Sequence, residues 1–383
     1  MTSADRLRRN NEEQLRELSG PELGRPPISR LPVLDGLRLI AALMVVVYHY
    51  TYRAPGPWGA HTAAVFSDVA PVTAYGWLGV QLFFIISGFV ICMSAWGRSL
   101  SGFAVSRVVR LFPAYWFGVL ATATIVAALS PGISFPPISH LLVNLTMVQA
   151  GLGVPDIDGV YWTLWIELRF YVLMAILAWR GLTYRRVVAF CLIWTGASAA
   201  AAATGDLRLI YIVDADHSPF FVAGMALYLI YRFKPTPTLM ALLAVSYGLG
   251  LWRLAPTLAA VGTLGPYGHS WPEVIAVTTC LFAAMTMVAL RWLSWIKGAW
   301  LTAAGTLTYP LYLIHQEIGY AIIARLHDDI PRWPLTVSLV LVMLGAAWLV
   351  HRFVERPVAA LLKRGLAAGL ARTHHRITVI RQR

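Results

Sequence analysis

The stretch LPVLDGLRLIAALMVVVYHY, residues 31–50, decides the fold. It holds the roughly 20 mainly apolar residues that a ~30 Å hydrocarbon layer asks of a spanning helix. It also carries Asp35 and Arg38 at one end and His49 near the other. An ionisable group inside a bilayer costs at least a few kcal/mol, so each one marks a candidate functional position. Arg38 and His49 are eleven positions apart. At about 3.6 residues per turn they share a face, offset by ~20°, with a rise of roughly 16 Å. Asp35, one turn before Arg38, is placed to pair with it and offset its desolvation.

Working outward, the rest of the chain has the same character. Of 383 residues, 58% are hydrophobic and 13% charged, against about a quarter charged in soluble domains. The pattern predicts an all-α polytopic membrane protein of the cell membrane, with ten apolar segments at 34–53, 76–95, 112–130, 163–180, 187–204, 218–232, 238–254, 273–291, 302–325 and 335–353. Lys and Arg concentrate in cytoplasmic loops. With the N-terminus inside, outer segments hold only Arg53, Arg208, Arg253, Arg325 and Arg332, the stretch 131–161 has none, and Arg169 alone falls within a span. Both termini are therefore expected in the cytoplasm, flanking a membrane domain, 34–354, with a basic arm, 1–33, and a basic tail, 355–383, lying on anionic lipid. The same asymmetry accounts for the net charge of +13 without a nucleic-acid partner. The first apolar run is too long and begins too late for a cleaved signal, and is expected to remain as the first span. Cys92, Cys191 and Cys280 have no metal-ligand spacing, so neither a metal site nor a disulfide framework is expected. No phosphate-binding glycine loop is present in the sequence.

Other polar groups fall in or beside these segments. YWTLWIELRFYVL (161–173) places Glu167 at a depth comparable with His49, where it can orient the imidazole or bind an acceptor hydroxyl; an ion pair with Arg169 is the alternative. His49 itself suits acid–base chemistry, or else is a histidine satisfied by a neighbour. In the loop SGFAVSRVVRLFPAYW (101–116), Arg107 and Arg110 sit three apart. Paired guanidiniums bind phosphate oxygens well, although positive-inside anchoring explains them equally. LTYPLYLIHQEIGY (307–320) brings Tyr309, Tyr312 and His315 close to one face, with Gln316 and Glu317 beside them, as a polar lining or as hydroxyls bonded within the core. HRFVERP (351–357) puts Glu355 at the cytoplasmic boundary, within reach of a loop arginine, and Pro357 is expected to end that helix.

These segments together resemble the acyltransferase-3 family of integral membrane, acyl-coenzyme A-dependent O-acyltransferases. LDGLRLIAALMVVVYH resembles its first helix, with arginine, ten residues, then histidine. GVQLFFIISGFVI, FAVSRVVRLFPAYW, YWTLWIELRFYVL, LTYPLYLIHQEI and RFVERP are similar to five further segments in the family's order. Thr308 stands where serine is frequent, and IHQEI replaces a common W-H-x-P ending. The resemblance implies that Arg38 and His49 form the essential first-helix pair, and that Arg107 and Arg110 hold the phosphates of acyl-CoA, most commonly acetyl-CoA. His49 then deprotonates an acceptor hydroxyl, with Tyr312 a candidate oxyanion donor, or carries the acyl group itself. A carbohydrate or glycosylated acceptor is implied, reached across the membrane, and the outer aromatics Trp58, Trp77, Tyr161 and Trp162 are candidates to stack on it. A proton-coupled or group-translocating transporter is the competing expectation, since buried His, Glu and Arg also serve proton relays.

Overall fold

A computed structural model of the protein describes residues 31–53, 56–262, 270–366 and 368. Nearly all of the 1–33 arm and the end of the 355–383 tail lie outside these residues. Among the described residues all regular structure is helical. The helices are α1 (Pro32–Thr51), α2 (Gly79–Ala95), α3 (Leu100–Leu129), α4 (Trp162–Trp179), α5 (Tyr184–Thr204), the short α6 (Leu207–Val213), α7 (Ser218–Phe233), α8 (Pro237–Gly262), α9 (Trp271–Ala289), α10 (Ala299–Ile314), α11 (Gln316–Leu326) and α12 (Arg332–Val350). Local chemistry sets several starts. Pro32 opens α1, and Ser99 and Thr183 accept from the backbone N–H groups of Gly102 and Arg186 at the heads of α3 and α5.

Eight of the ten expected segments are long and apolar enough to cross a bilayer, and the protein is a multi-pass membrane protein. The other two differ for physical reasons. Helix α7 has 16 residues, and every one from Ser218 to Ile230 is buried. A helix apolar all round belongs inside a bundle, and α7 packs against α2, α5, α8 and α9. The segment expected at 302–325 is broken at His315 into α10 and α11. There Tyr161 donates to the Leu313 carbonyl at 3.1 Å, His315 Nδ1 lies 2.8 Å from the Tyr312 carbonyl, and the Glu317 N–H is turned to Asp158 Oδ2 at 3.2 Å. Side chains thus take over groups that would otherwise close the helical ladder.

Two further expectations are corrected. Helix α3 begins at Leu100, so Arg107 and Arg110 stand two and three turns inside a 30-residue helix rather than in a loop. Pro357 does not end its helix: α12 passes through a π-turn at His351–Glu355, in which the Arg356 N–H bonds the His351 carbonyl, and continues to Leu366. The wider turn absorbs the donor that proline lacks.

Helices α2 and α7 cross at Gly88 and Gly224, where a Cβ on either residue would collide with the other helix's backbone. Helix α10 lies along α1, with Gly305 against the Asp35 side chain and Leu301 against Gly36. These close approaches leave α1, α2, α3, α4 and α10 around one internal cavity.

Candidate active site

The cavity has a volume of about 140 Å³. Arg38, Arg107, Arg110, Glu167, Tyr171, Thr163 and Tyr312 line it; along α4, Tyr171 stands beside Arg107 at one end and Thr163, about two turns away, beside Tyr312 at the other. Val80, Phe83, Phe84 and Leu164 supply apolar wall. The three guanidiniums are in different states. Arg38 donates to Asp35 Oδ1 at 3.3 Å, and Asp35 is buried. Arg110 is ion-paired with Glu355, whose second oxygen lies 2.9 Å from His351 Nδ1. Arg107 makes no ion pair with a carboxylate among the described residues; its guanidinium sits 5.7 Å and 5.8 Å from the ring centroids of Phe103 and Tyr171. Its Nε donates to Ser106 Oγ at 3.3 Å, and among the described residues no carboxylate competes with an incoming anion for it. Glu167 accepts from Ser87 Oγ at 2.9 Å and from the Tyr171 hydroxyl at 2.7 Å.

Removing Asp35 leaves a cation partly buried between helices. Asp35→Ala is expected to lower stability by ~1–3 kcal/mol, seen as a lower melting temperature in detergent; a melt unchanged from wild type would show that Arg38 draws its support elsewhere.

Beyond Tyr312 the polar path continues in the wall. The Tyr312 hydroxyl bonds Thr163 Oγ1 at 2.8 Å and the Val160 carbonyl at 3.2 Å, while its own carbonyl faces His315 Nδ1. His315 Nε2 lies 3.0 Å from His49 Nδ1. Both imidazoles are buried, and Tyr50 fixes the His315 backbone by donating to its carbonyl at 2.6 Å. Outside the spans, burial pushes the Asp158 carboxyl well above the usual carboxylate range, and the nearby Glu317 adds to the rise. Asp158 accepts from the N–H groups of Val160 and Glu317, tying the outer loop to the head of α11.

Residues 31–352 match the model of the acyltransferase domain, acyltransferase-3. The chain belongs to the acyltransferase-3 family. It is 26% identical over 380 residues to the acyltransferase MdmB of Streptomyces mycarofaciens, covering 88% of this chain and 94% of that one. It is 28% identical over 322 residues to the exopolysaccharide production protein ExoZ of Rhizobium meliloti, covering 77% and 94%. YrhL of Bacillus subtilis, whose name refers to peptidoglycan O-acetyl transfer, is 22% identical over 378 residues, covering 86% of this chain and 55% of YrhL. No solved structure matches significantly.

Set against the sequence reading of this acyltransferase, the structure gathers Arg38, Arg107, Arg110, Glu167 and Tyr312 around one cavity. His49 stands outside the lining, beyond Tyr312. Glu167 does not meet it: the partner of His49 is His315, and Glu167 faces the cavity from α4 with Ser87 and Tyr171. Nor does Glu167 pair with Arg169, which turns to Asp214 and the carbonyls of Tyr211 and Ile212. Of the four outer aromatics, Trp58, Trp77 and Tyr161 are buried in the core, and only Trp162 is exposed. A second cavity beside Trp162, Trp165 and Tyr211 contains charged groups already paired with one another or with Arg253. Ser87, Tyr171 and His351 are polar members of the site beyond the sequence candidates. Tyr171 had a signal, since it lies one helical turn from Glu167; His351 stands in the same relation to Glu355.

Proposed function

We propose that the protein transfers an acyl group, acetyl in the first instance, from cytoplasmic acyl-CoA to a hydroxyl of a carbohydrate or glycosylated acceptor. The observation that carries this reading is the cavity that joins three arginines at one end to Tyr312 and, through it, the His49–His315 pair at the other. The residues fit such a donor. Arg107 and Arg110 lie on one face of α3 for the phosphates, and Val80, Phe83 and Phe84 offer an apolar path for the pantetheine arm.

At the far end, His49 takes the proton of the acceptor hydroxyl. The acceptor oxygen attacks the thioester carbonyl, the C–S bond breaks, and the thiolate recovers the proton from His49. The hydroxyls of Tyr312 and Thr163, bonded to each other, are candidate donors to the developing oxyanion. The names of the relatives, exopolysaccharide production among them, support a carbohydrate acceptor. The excess of Lys and Arg on the arginine side of the bundle supports a cytoplasmic donor and an acceptor reached from the opposite face.

Charge reversal tests the donor site. Arg107→Glu is expected to raise KM for acetyl-CoA about 10–100-fold, the loss of one charge-assisted bond, with a smaller change in kcat, read by thiol release from the purified protein. A KM within twofold of wild type would remove Arg107 from the donor site.

A further inference from the structure

The two buried histidines form a directional chain. His315 Nδ1 lies 2.8 Å from the Tyr312 carbonyl oxygen, which can only accept, so this nitrogen carries a proton. His315 Nε2 faces His49 Nδ1 at 3.0 Å. A second proton on His315 would place a cation in the buried core with no carboxylate bonded to it among the described residues. Kept neutral, His315 presents a bare Nε2, and His49 must donate to it from Nδ1. That leaves the lone pair of His49 on Nε2, which makes no hydrogen bond with any described residue.

We infer that His315 is a positioning residue that holds His49 in the Nδ1–H tautomer, with Nε2 as the basic nitrogen, through a chain anchored on the Tyr312 carbonyl. The inference rests on the proposed role of His49 as base. When Nε2 accepts the hydroxyl proton, His49 becomes an imidazolium whose Nδ1–H still points at His315 Nε2. The new charge on His49 is stabilised by the Nδ1–H bond to His315 Nε2, without any group turning. Return of the Nε2 proton to the leaving thiolate restores the starting state, and no proton is gained or lost. In water, neutral imidazole prefers its proton on Nε2, the wrong arrangement here; a base held in the wrong tautomer loses orders of magnitude in turnover.

The experiment has two arms on the full-length protein in detergent. Histidine labelled with 13C and 15N gives the tautomer by NMR, the His49 signals being identified among the ten histidines by their loss in His49→Gln. Wild type is expected to show His49 protonated on Nδ1 alone; a His49 protonated on Nε2 would overturn the inference. In the second arm, His315→Phe keeps an aromatic ring but removes the acceptor. It is expected to lower kcat about 100-fold, with KM for acetyl-CoA within twofold, and to move His49 to the Nε2–H form. His315→Gln, whose amide oxygen can accept from Nδ1, is expected to recover at least tenfold of that loss. Wild-type turnover in a folded His315→Phe protein, with His49→Gln inactive, would overturn the positioning role alone. Full turnover in His49→Gln would instead overturn the base assignment beneath it. If His315→Phe does not fold, the wild-type tautomer still decides.

Discussion

His49→Ala is expected to lower acyl transfer by about 10²–10⁴-fold, the usual contribution of a general base, while leaving the affinity for acetyl-CoA within twofold. His49 lies outside the cavity lining that contains Arg107 and Arg110, so donor binding and proton removal should separate cleanly. Turnover is read as thiol release in the presence of acceptor, and donor affinity by calorimetry on the same preparation. Transfer at the wild-type rate by a folded variant would refute the assignment. The same material settles whether His49 carries the acyl group: label from [14C]acetyl-CoA retained on wild type but not on His49→Ala, with acyl exchange in the absence of acceptor, would replace direct transfer by a two-step route.

The second large effect is structural. Gly224→Val is expected to abolish the folded protein, with a cost above about 3 kcal/mol. A Cβ at Gly224 meets the Ile85 carbonyl, the Phe89 nitrogen and the Gly88 Cα, all backbone atoms that cannot turn aside. Overpacking a flexible contact costs ~1–3 kcal/mol; here two backbones must separate, and α7 is buried along nearly its whole length. Gly196→Ala is the control, since nothing stands within 4 Å of an added Cβ there. It should be neutral or stabilising by up to ~1 kcal/mol, because alanine is the better helix former. Monodisperse elution of Gly224→Val at the wild-type melting temperature would contradict the crossing.

What the sequence made legible follows from what a linear pattern encodes. Hydropathy reports which residues avoid water, so the spans were readable, as was the membrane location. Depth along a helix is also readable, and it put Arg38 and His49 at different heights on one face. Rotation between helices is not. The sequence suggests a comparable depth for Glu167 and His49, yet Glu167 faces the cavity beside Ser87 and Tyr171 while His49 stands beyond Tyr312, against His315. The break at His315 was hidden for a related reason: the partners that interrupt 302–325 there are Tyr161 and Asp158, some 150 residues away. Pro357 misled in the other direction, because a local rule met a π-turn that accommodates it. The ion pair of Arg110 with Glu355 joins α3 to that turn, a contact that the expectation of a loop arginine within reach of Glu355 anticipates.

The hydrogen-bond partner of His315 Nδ1 is a main-chain oxygen, not a side chain. Every amino acid brings that oxygen with it. A scan that exchanges residue 312 through all twenty types would therefore alter the phenol facing the cavity and never touch the anchor behind it. The position would score as a cavity residue, and the element that orients the imidazole would stay silent in genetic data. Only a change in the path of the chain, such as an ester in place of the peptide bond or a shift in the helix break, would bring it into view.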